Sequence, residues 1–283
     1  AKNPSAPLSV ADNRLGEWNS FFIRMEGERV TVYLNGELVV DNVVMENYWD
    51  RSQPIFPYGA IELQAHGSKV AYRDIYVREL KRPEPYKLSP EEEANGFEVL
   101  FDGTTLHQWT GNKTDYLTRD GILEVRPSGQ GFGDLYTVKE YNDFIFRFEF
   151  KLTPGANNGV GIRTPGTGDA AYEGMEIQIL DHYDPIYQPW LLDYQYHGSV
   201  YGVIPASNRD ALRPVGEWNQ QEIYIKGTTI RVTLNGQVIT QGDISTGPVD
   251  DRDHPGLERR GGKIGFLGHG SRLWFRNIRI KEL

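Results

Sequence analysis

The chain has 283 residues, 39% hydrophobic and 12% aromatic, enough to bury the core of one large β domain or of two smaller ones. A formal net charge of -9 argues against nucleic acid or an anionic membrane as partner, since both call for a basic surface. With no cysteine there can be no disulfide, thiolate metal site or thiol nucleophile, and no apolar run is long enough to span a membrane.

In chain order, AKNPSAPLSV lacks a charged-then-apolar leader and reads as a processed or truncated end. Residues 21–26 and 29–34 read as strands, and Asn35-Gly36 is a strong hairpin signal leading into a returning strand at 37–40. Further strands are expected at 60–65 and 72–80. Residues 81–95 are charged and proline-rich, a linker with one helical turn from Ser89. Beyond it come strands at 97–101, at 122–125 after the Asp120-Gly121 turn, and at 144–151, where Phe144, Phe146, Phe148 and Phe150 alternate with Ile145, Arg147, Glu149 and Lys151. Strands at 221–226, 230–234, 263–267 and 273–281 close the chain. Short strands at this spacing, with almost no helical periodicity, predict an all-β sandwich, best fitted by a jelly roll of two sheets.

The chain also repeats itself. Gly16-Glu17-Trp18-Asn19 recurs as Gly216-Glu217-Trp218-Asn219, and Asn35-Gly36 as Asn235-Gly236, at an offset of 200. At an offset of 203, His66-Gly67 recurs as His269-Gly270 and 73–80 as 276–283. Residues 1–80 therefore read as the C-terminal half of a first domain, and 96–283 as a complete second one. The missing half is expected from another chain or segment, since half a jelly roll leaves strand edges and an apolar face open. Trp18 and Trp218, matched in both copies, read as core residues.

The chemistry concentrates in residues 157–181, two strands joined by a glycine-rich loop. Val160 and Ile162 alternate with Gly159, Gly161 and Arg163, and Met175, Ile177 and Ile179 alternate with Gly174, Glu176 and Gln178. One face packs. The other carries an arginine, a carboxylate and an amide, with glycines leaving room for a ligand. Asp181 and His182 follow, then an aromatic loop with Tyr187, Trp190, Tyr194, Tyr196, His197 and Tyr201. Aromatic rings stack on sugar faces while carboxylate, amide and imidazole groups bind hydroxyls, so a sugar is the expected ligand. Taken alone, Glu176 and Arg163 could equally form a cross-strand ion pair on a solvated face, and His269, in a turn before Gly270, reads as structural.

GFEVLFDGTTL at 96–106 with Trp109, NNGVGIR at 157–163, EIQILD at 176–181, GEWN at 216–219 and FRNIRIKEL at 275–283 together resemble the bacterial 3-keto-disaccharide hydrolase family. The resemblance spans nearly all of 97–283, and 1–80 matches the family's C-terminal half. It implies the concanavalin A-like lectin/glucanase jelly roll and a secreted or periplasmic enzyme acting on an oligosaccharide or glycoside oxidised to a ketone at sugar carbon 3. That ketone acidifies the carbon-2 proton, so a base can remove it, the anomeric substituent leaves by β-elimination, and water adds back. Carried onto this sequence, Arg163 is the donor to the enolate oxygen, Glu176 or Asp181 the base or a metal ligand, and His182, His197 or His269 the proton donor. Gln178, His197, Tyr201, Trp190 and Tyr187 are the substrate-binding candidates. A divalent cation held by the carboxylates and histidines would polarise the ketone, although no spaced ligand motif is present. The alternative is a non-catalytic, lectin-like carbohydrate-binding module on the same fold.

Overall fold

The computed structural model describes residues 6–45, 47–49, 55, 59–81, 84–127 and 133–283, and it divides the chain into unit 1, Ala1–Arg82, and unit 2, Pro83–Leu283. Of the residues read as linker, Arg82 and Pro83 lie outside the described set.

Unit 1 holds a three-stranded antiparallel sheet of β1 (Phe21–Glu26), β2 (Arg29–Leu34) and β3 (Glu37–Val44), in that order. Unit 2 opens with α1 (Pro90–Ala94), then β4 (Glu98–Phe101), β5 (Trp109–Gly111), β6 (Tyr116–Arg119), β7 (Ile122–Val125) and β8 (Leu135–Thr137). It continues with β9 (Phe144–Leu152), β10 (Asn157–Thr164), α2 (Ala170–Glu173) and β11 (Met175–Leu180). The last strands are β12 (Trp218–Lys226), β13 (Thr229–Leu234), β14 (Gln237–Asp243), β15 (Lys263–Gly268) and β16 (Leu273–Glu282).

These strands form a two-layer jelly roll. One sheet runs β11-β10-β15-β8-β5, and the other β14-β13-β12-β9-β16-β7-β6 with β4 beside β16. The alternation along β9 sets the layers: all four of its phenylalanines are buried between the sheets, while Arg147 and Glu149 face outward to pair with Glu222 and Arg276. Phe266 of the opposite sheet stacks on Phe275 at 3.9 Å and meets Phe148 edge-on at 5.8 Å, joining the layers through aromatic contact. On the five-stranded sheet, Val160, Ile162, Ile177 and Ile179 face this core, so the residues between them face outward. Among the described residues no helix is long and apolar enough to cross a membrane.

Residues 84–95, read as linker, are fastened to the larger sheet. The Ser89 hydroxyl accepts from Glu92 N–H and caps α1, and the Glu92 carboxylate accepts from Arg147 at 3.0 Å and Arg279 at 2.7 Å.

The repeat has a physical basis in side-chain amides. Asn235 sits at φ 50° in the β13–β14 hairpin; its Nδ2 donates to Ala211 O and Asn219 Oδ1, and its Oδ1 accepts from Gln220 N–H. Asn35, at φ 52°, makes the same bonds to Ala11, Asn19 and Ser20. The tryptophans of the motif are not core residues. Arg73 lies 4.1 Å above the Trp18 ring and Arg276 4.0 Å above Trp218, so each indole carries a guanidinium at the surface. Residues 60–65 and 72–80, expected as strands, form no ladder in unit 1. Their counterparts in unit 2 are strands because β10 and β8 flank β15, and β9, β7 and β4 flank β16. Among the described residues of unit 1 no strands stand in those places.

Candidate active site

On the outer face of the five-stranded sheet, β11 runs antiparallel to β10 with Gly161 opposite Glu176 and Gly159 opposite Gln178. The Glu176 side chain folds over the neighbouring strand onto Gly159. A Cβ at Gly159 would lie 1.9 Å from Glu176 Oε1, so the absence of a side chain there is what seats the carboxylate. Glu176 is only 3% exposed, and apart from His269 its Oε1 has no hydrogen-bond partner among the described residues. Beside it, Gln178 Nε2 donates to Asn157 Oδ1 at 2.7 Å, fixing the amide. The free edge of β11 is closed by residues 198–201: Gln178 N–H donates to Ser199 O, and Tyr201 N–H to Glu176 O.

These groups floor a cleft of about 270 Å³. Tyr187, Trp190, Gln195, Tyr201, Asp169 and His269 also line it. Two of these rings are hydrogen-bonded at their polar tips: Tyr187 Oη donates to Gly155 O, and Trp190 Nε1 to Ile186 O. Tyr201 Oη accepts from Gln195 Nε2, which leaves its own proton for another acceptor. Asp169 is engaged in capping α2, with Oδ1 accepting from Ala171 N–H.

His269 Nε2 stands 3.4 Å from Glu176 Oε1, within ion-pair distance. Burial by itself would lower the pKa of this imidazole, but the Glu176 carboxylate, with Asp134 and Asp169 beyond it, raises it above the ordinary value. A pKa raised on folding means the contact contributes its stability in full below the unfolded value, and loses it as pH rises through the folded one. NMR titration is expected to place His269 above a free imidazole in the native protein. In Glu176→Gln it should fall, because burial remains and the Glu176 carboxylate does not. Unchanged titration in the variant would show that the two groups are not coupled.

A family model described as the 3-keto-alpha-glucoside-1,2-lyase-like domain matches residues 1–78 and 96–281. The chain belongs to this family. A 3-keto-disaccharide hydrolase of Bacteroides thetaiotaomicron is 26% identical, over 74% of this chain and 86% of its own. The crystal structure of a candidate glycosyl hydrolase from Parabacteroides distasonis superposes with a TM-score of 0.60 at 28% identity, over 67% of this chain and 100% of that one. Another from the same organism gives 0.52 at 26%, over 66% and 84%. Membership in the lyase-like family places the protein among the glycoside hydrolases and lyases.

Within this lyase-like domain the structure brings Glu176, Gln178, Tyr187, Trp190, Tyr201 and His269 to one cleft and leaves the other candidates outside it. Arg163 is the main correction. The β10–β15 register shifts between Gly161 and Thr164, and Arg163 takes φ 50°, which turns its side chain out of the alternation. Its guanidinium is fully buried, donating to the carbonyls of Asn142, Gly227 and Arg259 and to Asp143 Oδ1. Asp181 is buried elsewhere, with Oδ2 accepting from Gly155 N–H. His197 lies in the core against the Phe150 ring, Nδ1 accepting from Leu180 N–H and Nε2 donating to Gln221 Oε1. Burial, with His182 nearby, drives its pKa down to about 3, so it stays neutral and is no imidazolium acid. His182 is likewise buried, its Nε2 donating to Arg209 O, and burial lowers its pKa. Among the described residues no group of three or more His, Asp or Glu is placed to hold a metal ion. Asn157, Asp169 and Gln195 line the cleft unanticipated. Asn157 shares the parity of Gly159 and Gly161, so the same alternation carried two residues further finds it; Asp169 and Gln195 sit on turns with no such signal.

Proposed function

We propose that unit 2 cleaves glycosides bearing a ketone at sugar carbon 3, by β-elimination followed by hydration. The observation that carries this reading is the Glu176–His269 pair, a buried carboxylate and a partly exposed imidazole at 3.4 Å on the floor of one cleft. Elimination needs one base and one acid, and the pair supplies both. An ordinary glycosidase needs two free carboxylates across the scissile bond, and the other carboxylate in the cleft, Asp169, caps a helix.

In the proposed sequence, Glu176 removes the carbon-2 proton and the C–H electrons form the enolate with charge on the carbon-3 oxygen. The enolate collapses to the ketone, a C1–C2 double bond forms, and the C1–O bond breaks with protonation of the departing oxygen by His269. Water then adds at carbon 1 and the proton returns to carbon 2, giving net hydrolysis with the ketone retained. With Arg163 outside the cleft, the donor to the enolate oxygen becomes the Tyr201 hydroxyl, whose proton is free because Gln195 donates to its oxygen. The Trp190 and Tyr187 rings provide the apolar wall against which a sugar face or aglycone packs.

Aglycone release from a 3-keto-glucoside and from the unmodified glucoside tests the reading. Release from the keto compound alone is expected, with deuterium entering at carbon 2 during the first turnovers in D2O. Hydrolysis without deuterium would point to direct displacement. Tight binding of an unmodified glycan with no turnover of either compound would establish a lectin-like module instead.

A further inference from the structure

Residues 249–256, which the proposed chemistry leaves unused, are fastened to the elements that carry the cleft. Val249 N–H and Asp250 N–H both donate to Gly202 O. His254 Nε2 donates to Asp250 Oδ1 at 2.8 Å, with the two side chains 1% and 7% exposed, and Arg252 N–H donates to the same oxygen at 3.3 Å. Gly202, at φ 70°, seats the pair: a Cβ there would lie 2.5 Å from Asp250 Oδ2 and 2.8 Å from His254 Cε1. Gly256 packs as closely on Gly174, where its Cβ would lie 1.9 Å from the carbonyl oxygen. Gly202 follows Tyr201 and Gly174 precedes β11, so both contacts fall beside the cleft.

This packing presents Arg252 to solvent. The His254 ring lies 4.6 Å from the Tyr172 ring, and the Arg252 guanidinium stands 4.8 Å from the same ring. Arg252 is exposed, and its guanidinium makes no hydrogen bond or ion pair among the described residues. Tyr172 follows Ala171, which lines the cleft, and Tyr194 meets Tyr201 edge-on at 5.5 Å. Burial raises the pKa of the Tyr172 hydroxyl to about 12 and lifts that of Tyr194; Tyr201 adds to the rise in both and Arg252 opposes it, so both lie near both hydroxyls. Three phenol groups and a guanidinium are thus gathered beside the cleft.

Sheet order shows which side of the reacting pair this is. His269 follows β15, which pairs with one edge of β10 and sets Gly268 opposite Asn158. β11 pairs with the other edge of β10, and residues 198–201 lie along the far edge of β11. Across the sheet, β11 with Glu176 therefore stands between His269 and Tyr201, and residues 249–256 pack beyond Tyr201. In the proposed sequence the departing oxygen is protonated by His269 and the carbon-3 oxygen meets Tyr201. A group that reaches Arg252 is then carried by the keto sugar itself, on its carbon-4 side, and is not the leaving group. Asp251 and Asp253 are exposed on either side of Arg252, a setting that disfavours a uronate and suits neutral hydroxyls.

We propose that the cleft extends past Tyr201 into a second sugar subsite, where the Arg252 guanidinium donates to hydroxyls of a neutral sugar borne on the carbon-4 oxygen of the keto sugar. The substrate class is then an oligosaccharide in which the keto residue is itself substituted. The subsite rests on the glycoside reading above.

The test compares a nitrophenyl 3-keto-glucoside with the same compound carrying a glucosyl group on the carbon-4 oxygen. In the native protein kcat/KM is expected to be roughly 10–100-fold higher for the longer compound, the worth of a hydrogen bond to a charged group. In Arg252→Ala that preference should disappear, chiefly through KM; circular dichroism checks that this exposed substitution leaves the fold in place. Equal kcat/KM for the two compounds in the native protein would overturn the subsite, as would a preference that survives in Arg252→Ala, and either result leaves the glycoside reading standing. Turnover of neither compound would remove the glycoside reading and the subsite with it.

Discussion

Turnover of a 3-keto-glucoside is expected to fall about 10²–10⁴-fold in Glu176→Gln, the usual worth of a general base. The substitution keeps the shape of the side chain, so the space above Gly159 stays filled, and it removes the negative charge that stands 3.4 Å from His269 Nε2. Stability should change little. The Oε1 atom is buried with His269 as its partner among the described residues, and replacing a poorly solvated charge by a neutral amide relieves a desolvation cost as it weakens that contact. Steady-state release of the aglycone, with circular dichroism to confirm the fold, makes the measurement. Turnover within a few-fold of the native protein would take the base role away from Glu176 and leave His269 as the group to examine.

Why one half of the site was legible in the sequence and the other half was not comes down to two strands. β11 is regular from Met175 to Leu180, so period-two alternation places Glu176 and Gln178 on one face and the core residues on the other. β10 begins in the same way, and Val160 and Ile162 pack inward as the pattern requires. Between Gly161 and Thr164 its pairing with β15 shifts, and one such irregularity is enough to reverse the side on which Arg163 emerges. Nothing in NNGVGIRT announces that shift, because arginine is not a residue that usually accepts a positive φ. The histidines fail for a different reason. An imidazole in an aromatic loop suits a sugar site and a packed core equally well, and the stack of His197 on Phe150, from residues 47 positions apart, decides the matter only once the chain is folded. The repeat was legible because its marks, Asn19 with Asn35 and Asn219 with Asn235, are local bonds that bind a hairpin to the strand beside it. What it could not convey is that residues 59–81 form no ladder among the described residues of unit 1.

Arg163→Met is expected to destabilise unit 2 by about 3–5 kcal/mol, the cost of breaking a buried ion pair by removing one partner, and to leave the chemistry of the folded protein nearly intact. The native guanidinium ties together three places remote in sequence: Asn142 O at 3.1 Å, Gly227 O at 2.9 Å and Arg259 O at 3.3 Å, with Asp143 Oδ1 at 2.9 Å completing the set. Methionine fills much of the volume but donates nothing, so these carbonyls lose a donor and the Asp143 carboxylate, itself one-third exposed, is left with Gly227 N–H among the described residues. The left-handed backbone at Arg163 is held by the same anchors, with Arg259 Nε donating to its carbonyl at 2.9 Å, so the bulge loosens as well. For a unit of this size the loss corresponds to a fall in melting temperature on the order of 10 °C. Thermal unfolding checks the first half of the expectation, and kcat per folded molecule, measured well below the transition, checks the second. A melting temperature left in place together with a turnover reduced as far as in Glu176→Gln would return Arg163 to the cleft and overturn its assignment as a structural clamp.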